Sequence, residues 1–524
     1  MYTLLNKRLT SIIDNKLEHL LQDSKTGLEK ESLRVTPEGR ISQTKHPKIL
    51  GSALTHPYIT TDYSESLLEF ITPPLPRAHE ALDFLLDIET FVYQKLDDEF
   101  LWTTSMPCVI GGESDIHIAD YGSSNAGKMK SVYRQGLASR YGKMMQVIAG
   151  IHFNHSFPLQ FWPAYQQLER NTSSEQTFID QSYMALTRNL LRYGWLIPYL
   201  FGSSPAICNS FLDGIKMPKN MKTLNNKTSY EPYGTSLRMG DIGYTNLKED
   251  EAGVKANYNS VAKYTKSLRK AINTPFPPYE EIGVKVNGKY LQLNANLLQI
   301  ENEYYSTVRP KQILRSMEKP VDALDERGIQ YVELRSLDIN AFHPAGLTHK
   351  QLYFLKTFML FCLLQESPDI DADERKEIDS NQSLVAHLGR KPGLMLSHNG
   401  DSVSLKSWAE DLLHAMAPVA ELLGDTHDED CYQESHELHL NLVRHPELTP
   451  SAQILEELFS NDECYYEFAH RKSLEHRDIF LNRTLSKDIE QKFRDLAKSS
   501  LQEQESIEQS DDESFDKFLA DYFS

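Results

Sequence analysis

The chain has 524 residues, 40% of them hydrophobic and 25% charged, with a formal net charge of −19 at pH 7. That balance suits a globular fold with a sizeable core, and so acidic a surface argues against nucleic-acid or anionic-membrane partners, whose phosphates it would repel. A small phosphate-bearing ligand is still compatible, because a bound metal ion reverses the sign of a local site.

The N-terminal stretch "MYTLLNKRLTSIIDNKLEHLLQD" is too polar for a secretory leader and reads as an amphipathic helix. "GLEKESLRV" (residues 27–35) and "ESLLEFIT" (65–72) read as strands, and "ITPPLPRAH" (71–79) breaks regular structure. "EALDFLLDIETFVYQKLDDEF" carries apolar residues at helical spacing. "QVIAGIHFNHSF" (146–157) is a further strand candidate, and "QSYMALTRNLLRYGWLIPYLFG" is a helix stopped by Pro198 and Gly202. After the proline cluster "INTPFPPYEE" come two more strand candidates, "YLQLNANLLQI" (290–300) and "GIQYVELRSLDI" (328–339).

From Leu352 onward the pattern is helical. "LYFLKTFMLFCLLQ" is too short to cross a bilayer and carries Lys356, so it reads as a core helix. The last 24 residues are acidic until a final aromatic cluster and read as a solvated helix or loose tail. Strands separated by long helical insertions predict an α+β fold with a mostly antiparallel sheet. The expected organisation is a single unit over residues 1–524, with a sheet-bearing core and active site at 1–350 and a helical part at 351–524. Cys108, Cys208, Cys362, Cys431 and Cys464 show no metal-like spacing; free buried thiols in a cytoplasmic protein are the expectation.

Two motifs are decoys. "GSSNAGKM" has phosphate-loop spacing up to Lys128, but Met129 replaces the hydroxyl that should meet magnesium. Backbone amides there, with Lys128, still offer a place for phosphate. His436 and His439 stand one turn apart without a third ligand nearby, which reads as a wet helical face.

The informative pattern is carboxylates inside apolar strands. Glu29 and Glu31 share one side of a strand, as do Glu65 and Glu69, His152 and Asn154, and Glu333 and Arg335; Asp62 lies just upstream of the second pair. Each strand alone fits the solvent side of an amphipathic sheet. Together, four such strands supply hard oxygen ligands, an imidazole and an arginine, because charged groups seldom enter apolar strands unless paired or liganded. Hard carboxylates suit Mg²⁺, or Mn²⁺ in its place, bridging substrate phosphates.

The segments "GLEKESLRV", "SALTHPYITTDYSESLLEFITPP", "WTTSMPC", "YGSSNAGKMKSVYRQGL", "GIHFNHSFP", "GWLIPYLFGSSPAIC", "TSLRMGDIGYTN", "LQIENEYYSTVRPK" and "YVELRSLDIN" resemble, in this order, the glutamate–cysteine ligase family of gammaproteobacteria. The resemblance implies a curved, mostly antiparallel sheet of the glutamine-synthetase-like type and an ATP-dependent, Mg²⁺-using cytoplasmic enzyme joining L-glutamate to L-cysteine. It assigns Glu29, Glu31, Asp62, Glu69, His152 and Glu333 to the metal cluster, with Asp62 alternatively shaping the turn before Tyr63. Arg238 and Arg335 fall on the arginines near glutamate and the transferred phosphoryl. Tyr63, Tyr133, Leu137, Gln146, Tyr244 and Tyr305 fall on the pocket for the cysteine side chain, and Tyr63 stands where the family pattern has phenylalanine. The resemblance further implies feedback inhibition by glutathione, and the length implies no appended glutathione-forming module. A monomer is expected, since no heptad or interface stripe is visible. The alternatives are a related ligase with another amine acceptor and a metal-binding protein without turnover.

Overall fold

A computed structural model describes residues 2–107, 111–212, 221–242, 255–424 and 430–524. Its centre is a seven-stranded sheet. Counting only the strands of that sheet, they are β1 (Lys25–Val35), β2 (Ile59–Thr61), β3 (Leu67–Ile71), β4 (Phe100–Leu101), β5 (Ile151–Ser156), β6 (Val308–Lys311) and β7 (Tyr331–Leu337). The order is β6–β7–β5–β1–β3–β2, with β4 paired to the far end of β1, and every pairing is antiparallel.

The alternation legible in β1 and β7 is resolved by this register. Leu28, Phe70, Phe153, Val332 and Leu334 turn to one face and are buried in the main core. The Ala78–Tyr93 helix packs on that face against β1 and β3, and the His349–Leu364 helix lies against it. Lys30 points the same way and is neutralised by Glu89, Nζ to Oε1 2.5 Å, with both side chains buried. The opposite face carries the polar set: Glu29 sits beside His152, Glu31 beside Glu69, and Glu333 beside both Asn154 and Arg309.

The His349–Leu364 helix is the expected core helix, buried along its length. Its Lys356 donates to the Ser24 and Pro76 carbonyls at 3.3 and 3.2 Å. Beyond it the described residues form helices and their connections, with one hairpin, Met395–His398 with Asp401–Ser404. Among the described residues no helix is long and apolar enough to cross a membrane.

Four expectations change. Residues 291–300 of "YLQLNANLLQI" are irregular, because Asn294 and Asn296 turn their amides onto the Gln299 and Ile272 carbonyls instead of leaving the backbone to a ladder. Glu65 precedes β3 in a bend and its carboxylate accepts from the His46 and Asp120 amides at 3.0 and 3.2 Å, away from Glu69. His439 is core, not a wet face: its ring packs against Phe201 and Phe354, and Nδ1 lies 2.6 Å from the Ser435 carbonyl. Cys362, Cys431 and Cys464 are free thiols, whereas Cys208 is in a disulfide; Cys108 lies outside the described residues.

Candidate active site

Strands β1, β3, β5 and β7, the Asn125–Tyr141 helix and the loop after Ile300 enclose a cavity of about 460 Å³. Glu29, Glu31, Asp62, Tyr63, Glu69, Tyr133, Leu137, Gln146, His152, Arg238, Tyr305, Glu333 and Arg335 all line it. Tyr244 lies outside the described residues. Asp62 both faces the cavity and shapes its turn, since its carbonyl accepts from the Tyr121 hydroxyl and from Arg134 Nε.

Glu29 Oε2 lies 3.0 Å from His152 Nδ1, and its Oε1 accepts from Asn154 Nδ2 at 2.9 Å. Glu31 Oε2 accepts the Gly150 amide at 2.7 Å, leaving Oε1 3.9 Å from His152 Nε2. Glu333 Oε1 stands 4.0 Å from His152 Nδ1 and 3.4 Å from Lys311 Nζ, and Oε2 accepts from Arg335 Nη1 at 3.1 Å. One ligand atom each of Glu29, His152 and Glu333 falls within 4.8 Å of the others, close enough for one cation to touch all three.

The arginines are placed by backbone irregularity. Between Leu334 and Leu337, β7 slips a residue against Phe153 and Ile151 of β5, so Arg335 and Ser336 together oppose His152. Such a bulge re-aims side chains at a sheet. Arg335 lines the cavity, and its Nε is buried with no hydrogen-bond partner among the described residues, an unmet donor. Arg238 donates from Nη2 to the Arg335 carbonyl at 3.0 Å. It lies so close to β5 that a Cβ at Gly150 would sit 2.0 Å from Nη2, so only glycine admits it. Asp338 fixes the surrounding loop by accepting from Ser203 N, Ser204 Oγ and Ser236 Oγ at 2.8, 2.6 and 2.9 Å.

Charge is divided unevenly. Burial works against ionised Glu333, yet Lys311, Arg335 and His152 outweigh it and hold that carboxyl well below the usual range. Burial likewise opposes Glu29, but its hydrogen bond to His152 brings it below its ordinary value. On the β1–β3 side the balance reverses. Burial, then the charge of Asp62, pushes Glu31 up, and burial with Asp62, Glu29 and Glu31 pushes Glu69 well above the ordinary range. Three carboxylates thus crowd together with too little positive charge among them, which is the environment a divalent cation relieves.

Sequence reasoning missed the cations Lys130, Arg134, Arg309 and Lys311, and also Met129, Met317 and Tyr522. A signal existed for some. Tyr133 and Leu137 mark one face of the Asn125–Tyr141 helix, and three- and four-residue steps back reach Lys130, Met129 and Ala126. Arg309 and Lys311 alternate in β6 as Glu29 and Glu31 do in β1. Lys130, exposed over much of its side chain, is shifted downward by desolvation of its ammonium and by Arg134. The phosphate-loop look-alike is closed to phosphate, because Glu508 and Asp511 accept the Ser123 and Asn125 amides at that helix N-terminus.

A family model for glutamate–cysteine ligase matches residues 9–385. The chain belongs to the glutamate–cysteine ligase family. It is a ligase, and it is similar over its length to the glutamate–cysteine ligases of Alcanivorax borkumensis (46% identical, 99% of each chain) and Pseudomonas putida (47%, 100% of this chain and 98% of that one). Its fold matches the crystal structure of the Francisella tularensis glutamate–cysteine ligase in complex with AMP, with a TM-score of 0.89, 34% identity, and 96% and 97% of the two chains covered. A bifunctional glutathione synthetase from Pasteurella multocida matches at a TM-score of 0.72 and 26% identity, over 91% of this chain and 55% of that one.

Proposed function

We propose that this ligase joins the γ-carboxylate of L-glutamate to the amine of L-cysteine at the expense of ATP, giving γ-glutamylcysteine, ADP and phosphate in the cytoplasm, the first step towards glutathione. The γ-carboxylate oxygen attacks the terminal phosphorus of ATP and ADP leaves. The cysteine nitrogen then attacks the acyl phosphate carbon, loses a proton, and phosphate departs. The single observation that supports this most strongly is the convergence of Glu29, His152 and Glu333 beside the unmet guanidinium donor of Arg335 in one cavity.

Glu29, Glu31, Asp62, Glu69, His152 and Glu333 would hold Mg²⁺, or Mn²⁺ in its place; hard oxygen donors with one imidazole fit either ion, and the crowding of Glu31, Asp62 and Glu69 is what such charge would offset. Bound there, the metal would shield the phosphates of ATP. Arg335 and Arg238 are the catalytic cations: each guanidinium is a fork matched to a carboxylate or phosphoryl oxygen pair. Tyr63, Tyr133, Leu137, Gln146 and Tyr305, with Tyr244, would surround the acceptor side chain, and the burial of Tyr63, Leu137 and Gln146 would help keep water from the acyl phosphate. No thiol lines the cavity among the described residues, so no enzyme-bound intermediate is invoked. Glutathione carries the product's γ-glutamylcysteine unit and would compete for the same cavity.

The test is purified protein with ATP, Mg²⁺ and glutamate, with and without cysteine, scored for ADP and dipeptide. Glu333→Ala should abolish both products with the far-ultraviolet dichroism unchanged. Faster turnover with an amine other than cysteine would overturn the substrate assignment, and absence of nucleotide consumption with any amine would overturn the reaction.

A further inference from the structure

The acidic C-terminal stretch is the expected solvated helix over much of its surface, but it is not loose. Residues 508–523 return to the Asn125–Tyr141 helix and are fixed there at several points. Glu508 accepts the Ser123 amide at 2.8 Å, the Glu513 carbonyl accepts from Asn125 Nδ2 at 3.0 Å, and Asp516 pairs with Lys285 at 2.8 Å and with the Tyr290 hydroxyl. The last helix, Phe515–Phe523, then buries Leu519 against Met129 and Leu293, with Phe518, Tyr522, Tyr133 and Ile300 around them. Tyr133 therefore has one edge in this cluster and another on the catalytic cavity.

Tyr522 is the residue of that helix that reaches the cavity, and Lys319 Nζ stands 5.5 Å from its ring centre. On its other side lies a second hollow of about 390 Å³, lined by Lys319, Asp322, Phe518 and Asp521. Met317, Glu318 and Tyr522 line both spaces. The ring thus stands where the cavity meets an adjoining open depression, and it packs on the same Met129–Leu293–Leu519 cluster as Tyr133.

We propose that Tyr522 is a specificity-determining residue of the ligase: its ring closes the outer end of the acceptor pocket behind Tyr133 and limits the length of the amino-acid side chain admitted. The inference rests on the acceptor pocket assigned above. Removing the ring joins the two spaces, so a cysteine side chain loses a contact while a longer side chain gains room. The size of a ring or methylene contact in such a pocket sets the scale at about tenfold.

The experiment compares wild type, Tyr522→Ala, Tyr522→Phe and Asp516→Asn in steady-state ligation of glutamate with cysteine and with methionine. Tyr522→Ala should raise the KM for cysteine by about tenfold and raise the methionine-to-cysteine ratio of kcat/KM by a similar factor, with the KM values for ATP and glutamate within about twofold. Tyr522→Phe keeps the ring and should restore the wild-type ratio. Asp516→Asn, which loosens the helix without touching the cavity, should move the ratio in the direction of Tyr522→Ala. If Tyr522→Ala leaves the cysteine KM and the acceptor ratio at wild-type values, or if its defect falls on ATP instead, the inference is overturned while the ligase reading stands. A wild-type protein that makes no dipeptide overturns both.

Discussion

Glu69→Gln should stabilise the metal-free protein while abolishing its activity. Glu31 and Glu69 are direct cross-strand partners in β1 and β3, and both carboxyls are pushed upward by burial and by neighbouring negative charge. Two like unit charges 4 Å apart repel by about 1 kcal/mol in water and about 4 kcal/mol at the effective dielectric of a protein site. Whether Glu69 meets that repulsion as a carboxylate or escapes it by keeping a proton, glutamine removes the cost at nearly the same volume. Unfolding entropy of about 2.1 cal/mol/K per residue gives about 1.1 kcal/mol/K for 524 residues, so the midpoint should rise by about 1–4 °C in EDTA. Added Mg²⁺ should narrow the gap or reverse it. A ligand at one hundred times its dissociation constant stabilises by about 2.7 kcal/mol, and the variant should lose most of that gain. The midpoint difference between variant and wild type, in EDTA and in Mg²⁺, is the readout. A Glu69→Gln protein that melts below wild type in EDTA, or gains as much from Mg²⁺, would refute the electrostatic argument.

Arg140→Met tests how the cavity wall is held: Arg140 and Glu303 are fully buried partners at 2.8 Å, and Arg140 also binds Gln292 and the Asn294 carbonyl. Stranding Glu303 should lower stability by about 3–5 kcal/mol, read as a fall in melting midpoint, with partial recovery in Arg140→Met/Glu303→Gln. Gly150→Ala should leave the midpoint within a few degrees but cut kcat/KM by about a hundredfold, because the added methyl displaces Arg238 by roughly an ångström; unchanged kinetics would detach Arg238 from the reaction. His387 is buried, which lowers its pKa, but Asp241 and Glu231 overcome this and raise it to about 9. Its native pKa lies above the unfolded one, so its contribution, at most about 3 kcal/mol, is fully present below about pH 6.5 and disappears as pH rises through about 9. The midpoint difference between wild type and His387→Gln should therefore be largest near pH 6 and close between pH 7 and 10; a difference that does not shrink over that range would show that the proton is not shared with Glu231 and Asp241.

Local periodicity determined the parts of this protein that depend on neighbours in the chain. Alternation in β1 and β7 put Glu29, Glu31, Glu333 and Arg335 on faces opposite apolar residues; helical spacing marked the Ala78–Tyr93 helix, and a short apolar run carrying Lys356 marked the His349–Leu364 helix. Periodicity failed where side chains compete with the backbone, as at Asn294 and Asn296, or where a bend intervenes, as at Glu65. Tertiary structure alone decided which charges meet. Glu29 and His152 are 123 residues apart, and nothing near either one specifies the distance between them. The same holds for Tyr522, whose local surroundings are those of a solvated tail until the last helix folds back onto the Asn125–Tyr141 helix. Electrostatic and packing energies depend on separation in space, and that separation is set by the whole chain rather than by any window of it.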